Sequence, residues 1–218
     1  MRTVTQKVSN RMIVTRIEEM SRSRVRVYLD ERFAFVLYKG ELRLYGIRED
    51  NELSEENYRK IIGEVLTKRA TLRCMNLLKS RPYAEKQLRD KLEQGEYPAD
   101  CIDAALEYVK SYGYVNDAGY ARDYIENQQE KKSRRMIEMD LLRKGISSEL
   151  IREAFEEQGR LGDMPDEVQL ARQLLKKKHL DPDTADYKQR QKMYAFLYRK
   201  GISQEALRRV FSGMEEAY

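Results

Sequence analysis

Leu141–Phe155 reads LLRKGISSELIREAF, and Leu197–Phe211 reads LYRKGISQEALRRVF. Nine of the fifteen positions are identical. Each shared residue has a local task. Leu141 and Leu197 close a helical pattern. Arg143-Lys144 and Arg199-Lys200 fall in its last turn, where positive charge suits the helix dipole. Gly145 and Gly201 supply a left-handed residue that ends a helix without a Cβ penalty. Ser147 and Ser203 are N-caps for the next helix, with Glu149 and Glu205 in its first turn. Ile146 is placed to pack on Ile151, and Ile202 on Leu207, as hydrophobic staples. The phrase is therefore a helix–turn–helix corner, and two copies at matching depth point to a duplicated unit.

Working outward, EKQLRDKLEQGEYPADCIDAALEYV fits the same phrase with one extra residue near Glu96. That alignment sets Leu92 on Leu142, Gly95 on Gly145 and Ile102 on Ile151. A first three-helix unit then covers about Ala70 to Gly113, a second Asn116 to Gln158, and a third Asp166 to Met214. EQGRLGDMP links the last two. Ala121 and Ala171, each followed by arginine, mark equivalent first helices, and DPDTAD (Asp181 to Asp186) is an insertion in the third unit. Residues 12–47 differ: MIVTRI, RVRVYL and FAFVLY carry the two-residue period of strands. They predict a three-stranded antiparallel piece with a hairpin at Asp30-Glu31-Arg32, too small to stand without a helix to pack on. ELRLYG adds a short helix ending near Gly46, and Ser54 caps a helix that continues past Leu66. The expected architecture is mainly α, an elongated series of tandem three-helix repeats with a small N-terminal antiparallel β element. Its expected segments are 1–53 (strand-rich), 54–115 (leading helix and first repeat), 116–160 (second repeat) and 161–218 (third repeat).

The 218 residues are 36% charged and 41% hydrophobic, with a net charge of +5. Mean hydropathy is -0.80 and the pI about 9.0. A polar chain with regular helical patterning fits thin cores shared between stacked repeats. The basic balance favours an anionic partner without naming one. No apolar run approaches the roughly 20 residues of a membrane-spanning helix. Nor does the N-terminus have an apolar stretch of signal-peptide type, which points to the cytoplasm. Cys74 and Cys101 do not make a disulfide framework.

Little in the sequence supports catalysis. There is no GxxxxGK[ST] phosphate loop. His179, the single histidine, follows three lysines near a helix end and reads as a solvated residue at the dipole's negative pole. Cys74 and Cys101 sit in apolar helical patterns with no metal-ligand spacing, so core packing accounts for them. No cofactor is expected. Lys131, Lys132, Arg134 and Arg135 are different. With Ser133 as N-cap, both arginines sit in a first turn, where the dipole penalises them. A compensating ligand, phosphate or acidic side chains, would remove that penalty, as would pairing of Arg134 with Glu138. Lys176, Lys177 and Lys178 fall at a predicted C-terminus, where they serve either the helix or a ligand. The tyrosines could stack on bases, but Tyr108, Tyr112 and Tyr120 fall where faces of the units are expected to meet.

LLRKGIS, GYVNDAGYARDYI and RPYAEKQLRDKL together resemble RecX, the bacterial modulator of the RecA recombinase, over nearly all the helical part. The strand-rich N-terminus followed by NELSEENYRKII is similar to longer members of that family. The resemblance implies a non-enzymatic monomer in the groove of a RecA–DNA filament, blocking recombination and ATPase activity and favouring filament loss. Its expected partners are the filament and, more weakly, single- and double-stranded DNA, with no membrane. The contact candidates are Lys131, Lys132, Arg134 and Arg135. Arg143, Lys144, Arg199 and Lys200 at the repeated corners follow, then Lys176, Lys177 and Lys178. A generic nucleic-acid-binding repeat and a peptide-binding scaffold are the alternative readings.

Overall fold

A computed structural model describes residues 12–160 and 166–212. The predicted linker reaches into 161–165, and the predicted end of the third unit near Met214 also lies outside the described residues. The chain divides into two compact units, Met1–Val115 and Asn116–Tyr218.

In the first unit, strands β1 (Met12–Glu19), β2 (Arg24–Leu29), β3 (Arg32–Tyr38) and β4 (Glu52–Leu53) form one sheet in the order β3-β2-β1-β4. The three predicted strands are antiparallel neighbours. The β2–β3 turn has no glycine; Asp30 and Glu31 take φ of 48° and 65° instead. Strand β1 holds them there, since Ile13 N donates to Asp30 Oδ1 and Glu31 N to Thr15 Oγ1 at 3.0 Å each. Helix α1 (Lys39–Leu44) is followed by Gly46 at φ 64°.

Ser54 caps α2 (Glu55–Lys60), accepting from Asn57 N. The helix runs on through a π-helical stretch, Ile61–Leu66, into α3 (Thr67–Leu78). There the Ile62 carbonyl accepts the five-residue bond from Thr67 N, and also accepts from Thr67 Oγ1 at 2.8 Å and from Cys101 Sγ at 3.4 Å. Helices α4 (Glu85–Glu93) and α5 (Ala99–Ser111) complete the first repeat. One core joins Val25, Val27, Phe35 and Leu37 of the sheet to Leu88, Leu92, Ile102 and Leu106 of the helices. The strands thus gain the helical partner that so small a sheet requires.

The second unit holds α6 (Asp117–Gln128), α7 (Arg134–Arg143) and α8 (Ser148–Arg160), then α9 (Glu167–Lys176), α10 (Tyr187–Arg199) and α11 (Gln204–Val210). Gly145 and Gly201 take φ of 90° and 78°. Ile146 N donates to Leu141 O and Ile202 N to Leu197 O, the six-residue bond that closes a glycine-terminated helix. Ser147 and Ser203 accept from Leu150 N and Ala206 N at 3.3 Å. Ile146, Ile151, Ile202 and Leu207 are all buried, as are Ala121 and Ala171.

The corner of the first repeat corrects the alignment. Gly95 does not take positive φ; Glu96 does, at 58°. Tyr97 N donates to Leu92 O, so Leu92 stands for Leu141 and Glu96 for Gly145. A shift of 49 residues then carries Leu92 to Leu141 and Ile102 to Ile151 alike, and no extra residue is needed. Leu142, paired with Leu92 in the sequence reading, is 49% exposed, whereas Leu92 and Leu141 are fully buried. Glu96 tolerates the left-handed backbone because the sheet grips its carboxylate: Arg26 Nη2 and Nε donate to it at 2.8–3.1 Å.

Candidate partner-binding surface

Ser133 is the N-cap of α7, accepting from Met136 N at 3.4 Å. It is also buried, and its hydroxyl donates to the Lys200 carbonyl at 2.8 Å. That carbonyl lies at the C-terminal end of α10, whose cap residue is Lys200. The negative pole of α10 therefore abuts the positive pole of α7 and offsets part of the penalty on two first-turn arginines. Gly201 lies so close that a Cβ there would stand 2.6 Å from Ser133 Oγ and 3.3 Å from Arg135 Cβ.

The four cations at this end of α7 have separate environments. Lys132 Nζ donates to Asp140 Oδ2 at 2.7 Å and to Tyr124 Oη at 3.1 Å, while Tyr124 Oη donates to the same carboxylate. The Asp140 hydrogen bond, then that to Tyr124, pushes the Lys132 ammonium above its ordinary value; the Lys132 hydrogen bond chiefly holds the Asp140 carboxyl below its own. Arg134 pairs with Glu138 at 2.9 Å and lies 4.6 Å over the Phe155 ring. Lys131 and Arg135 are exposed and have no carboxylate partner among the described residues. The structure thus brings the four together but leaves two available to a ligand.

At the repeated corners, Arg143 is exposed, with only a 3.7 Å approach to Asp140. Lys144 is half-buried over the Tyr120 and Tyr124 rings, at 5.8 and 5.2 Å. Arg199 and Lys200 are exposed, the former donating to Ala195 O. Lys176, Lys177 and Lys178 end α9, and Lys178 lies 5.2 Å over Phe196 of α10. His179 is exposed and takes the left-handed position, φ 54°, that closes α9. A cleft of 380 Å³ beside it sets Arg172, Lys176 and His179 against Asp181 and Asp183. It has no nucleophile–base pair.

The tyrosines depart from expectation. Tyr108 and Tyr112 are 46% and 61% exposed, not core. Helix α5 buries Cys101, Ile102, Ala105, Leu106 and Val109; Tyr108 stands at the edge of that face and Tyr112 is the C-cap, so spacing alone places both near the core while their rings stay exposed. They continue into Tyr114, with ring centroids 4.8 and 5.9 Å apart. Tyr120 is half-buried and stacks on Tyr124.

Both cysteines are buried. Burial pushes the Cys74 thiol up to about 11 and raises Cys101 as well, the opposite of what a reactive thiolate requires. Among the described residues no three His, Cys, Asp or Glu side chains gather as a metal site. No helix of the described residues is long and apolar enough to cross a membrane.

Repeated three-helix corners, cations held at their turns and a small sheet packed on the first repeat define a tandem-helical-repeat protein. Residues 70–108, 116–154 and 165–211 match, in order, the first, second and third three-helix domains of RecX, together more than half of the chain. The chain belongs to the RecX family. It is 33% identical over 199 residues to the regulatory protein RecX of Clostridium perfringens (strain SM101 / Type A), covering 87% of this chain and 90% of that one. It is 30% identical to that of Caldanaerobacter subterraneus subsp. tengcongensis, covering 92% and 99%. A crystal structure of regulatory protein RecX shares the fold with a TM-score of 0.57 at 21% identity, covering 94% of this chain and 99% of that chain. That of RecX from Lactobacillus salivarius gives 0.55 at 19%, covering 69% and 97%.

Proposed function

We propose that this protein is a non-enzymatic cytoplasmic regulator that binds the RecA–DNA filament as a monomer and inhibits its ATPase and strand-exchange activities. The observation that carries this reading is the match of all three RecX three-helix domains, in order, in a chain whose relatives are named regulatory proteins. The surface agrees with it. Arg143, Arg199 and Lys200 stand exposed at repeated corners, and Lys131 and Arg135 stand exposed beside α7. Cations in such positions suit both an acidic protein face and phosphate. The experiment is co-sedimentation with RecA filaments on single-stranded DNA, run beside an ATPase assay. Sedimentation with coated in preference to bare DNA, together with a falling ATPase rate, is the expected result. Equal affinity for bare DNA with an unchanged ATPase rate would leave a general nucleic-acid-binding repeat.

A further inference from the structure

The second helices of the three repeats differ in one respect. Helix α4 carries Glu85, Asp90 and Glu93, and α7 carries Glu138 and Asp140; α10, YKQRQKMYAFLYR, has no carboxylate at all. A shift of 56 residues, which brings Leu141 onto Leu197, shows what changed. Arg134, Arg143 and Lys144 recur as Arg190, Arg199 and Lys200, while Glu138 and Asp140 become Tyr194 and Phe196. The cations recur; the counter-ions that neutralise them in α7 do not. Lys132 recurs as Lys188, drawn into α10 by its earlier start, and Met136 becomes Lys192.

The consequence is visible across residues 166–212. This stretch has eleven lysines and arginines against six carboxylates. None of the eleven makes an ion pair among the described residues, whereas ion pairs occur throughout the sheet and the first two repeats. Tyr187, Lys188, Gln191, Lys192, Ala195, Tyr198 and Arg199 are all exposed. Their spacing puts them on one face of α10. Tyr187 and Tyr198, 59% and 48% exposed, stand at its two ends, about 16 Å apart along the axis. The nearest carboxylates in sequence, Asp183 and Asp186, lie before the helix, and Asp186 is engaged as its cap. Lys178, over Phe196, extends the basic surface onto α9.

We propose that this face of α10 is a binding site for single-stranded nucleic acid, with Lys188, Lys192 and Arg199 on phosphates and Tyr187 and Tyr198 stacking on unpaired bases. An acid-free row of cations carries no repulsion toward a polyphosphate. Exposed tyrosine rings at both ends suit bases whose faces are open, which a duplex does not offer along its length. A stacked strand advances about 3.4 Å per nucleotide, so the face spans roughly five. The assignment deepens the reading above by naming an element for the filament's nucleic acid, and it can fail without that reading failing.

The test uses the full chain and a fluorescein-labelled 20-nucleotide oligothymidylate, read by anisotropy over a salt series. Three variants are compared with the parent: Lys188→Gln/Lys192→Gln/Arg199→Gln, Tyr187→Leu/Tyr198→Leu, and the charge-matched control Arg59→Gln/Lys60→Gln/Lys86→Gln in the first unit. The α10 charge variant is expected to bind at least about tenfold more weakly, with a log–log salt slope shallower by about 2. The tyrosine variant is expected to lose about fivefold or more on the oligonucleotide and little on a blunt duplex. Melting temperatures of all three check the fold. Parent-like binding by the α10 variants, or an equal loss in the control, would overturn the assignment. So would equal competition by polyglutamate, which would make the face a general acidic-polymer site. ATPase inhibition of the same variants is a separate readout and bears on the filament reading alone.

Discussion

Gly145 and Gly201 share a sequence phrase and a left-handed backbone. Alanine at either position meets the left-handed backbone penalty, roughly 1 kcal/mol. At Gly201 the same methyl also enters the space of Ser133 Oγ, 2.6 Å away, so Gly201→Ala is expected to cost about 2 kcal/mol or more. The urea midpoint of Gly201→Ala measures the loss, and a loss of only about 1 kcal/mol, the backbone penalty alone, would mean that Ser133 moves aside freely. The left-handed role was legible here because glycine marks it. At Glu96 it was not, since what holds that backbone is Arg26, 70 residues away, and no local pattern carries such a partner. Asp140 gives a second prediction at this scale. Its carboxyl is held below its ordinary value chiefly by the hydrogen bond from Lys132. A depressed carboxyl contributes stability above its unfolded value, about 3.9, and that contribution disappears as pH falls through the lower folded value. Asp140→Asn is therefore expected to be about 1 kcal/mol less stable at pH 7. Parent and variant are expected to converge in acid. A gap that stays constant from pH 7 to 2.5 would assign the loss to packing.

Among the elements, α7 and α10 form a pair that their separate sequences do not reveal. Ser133 caps one and bonds the end of the other. Ser133→Ala removes the cap and leaves the Lys200 carbonyl without its donor, a loss of roughly 1–2 kcal/mol. Combined with Gly201→Ala, it also removes the atom on which the new methyl would collide. The two losses are therefore expected to be less than additive by about 0.5 kcal/mol or more. Strict additivity in a denaturation cycle would show that the seam does not couple the repeats. Alternation disclosed β1, β2 and β3, but β4 has only two residues and no period to read. The π-helical stretch is also invisible, because six residues cannot separate its spacing from that of an α-helix. Tyr108 and Tyr112 mark a third limit: helical spacing tells which residues share a face, not whether anything covers it. The acid-free composition of α10 was readable throughout. It escapes a search that counts cations in clusters without asking where their counter-ions are.

At the level of the whole molecule, the candidate site divides by what each cation already touches. The local argument from the α7 dipole ranks Lys131, Lys132, Arg134 and Arg135 as one cluster. Lys132 and Arg134 are held by Asp140 and Glu138; the Glu138 pairing was legible one helical turn on from Arg134, whereas Asp140, eight residues from Lys132, was not. Two double variants separate the roles. Lys132→Ala/Arg134→Ala strands two carboxylates and removes a cation from the Phe155 ring, so it is expected to lower the melting temperature while weakening filament inhibition only in step with unfolding. Lys131→Ala/Arg135→Ala breaks no ion pair among the described residues. It also takes a positive charge out of a helix first turn, which stabilises by a few tenths of a kcal/mol. Its melting temperature is expected to equal or exceed that of the parent. If these two side chains meet the filament, inhibition of the RecA DNA-dependent ATPase falls nonetheless. Where each replaced charge met a phosphate, the salt dependence of binding also flattens by about one unit of log–log slope per contact. The assay needs RecA, single-stranded DNA, ATP and the two variants beside the parent. Undiminished inhibition by Lys131→Ala/Arg135→Ala across the salt series would make the α7 cations ordinary solvated surface. The recombinase contact would then be sought at Arg143, Arg199 and Lys200, where the duplicated corner presents the same charges twice.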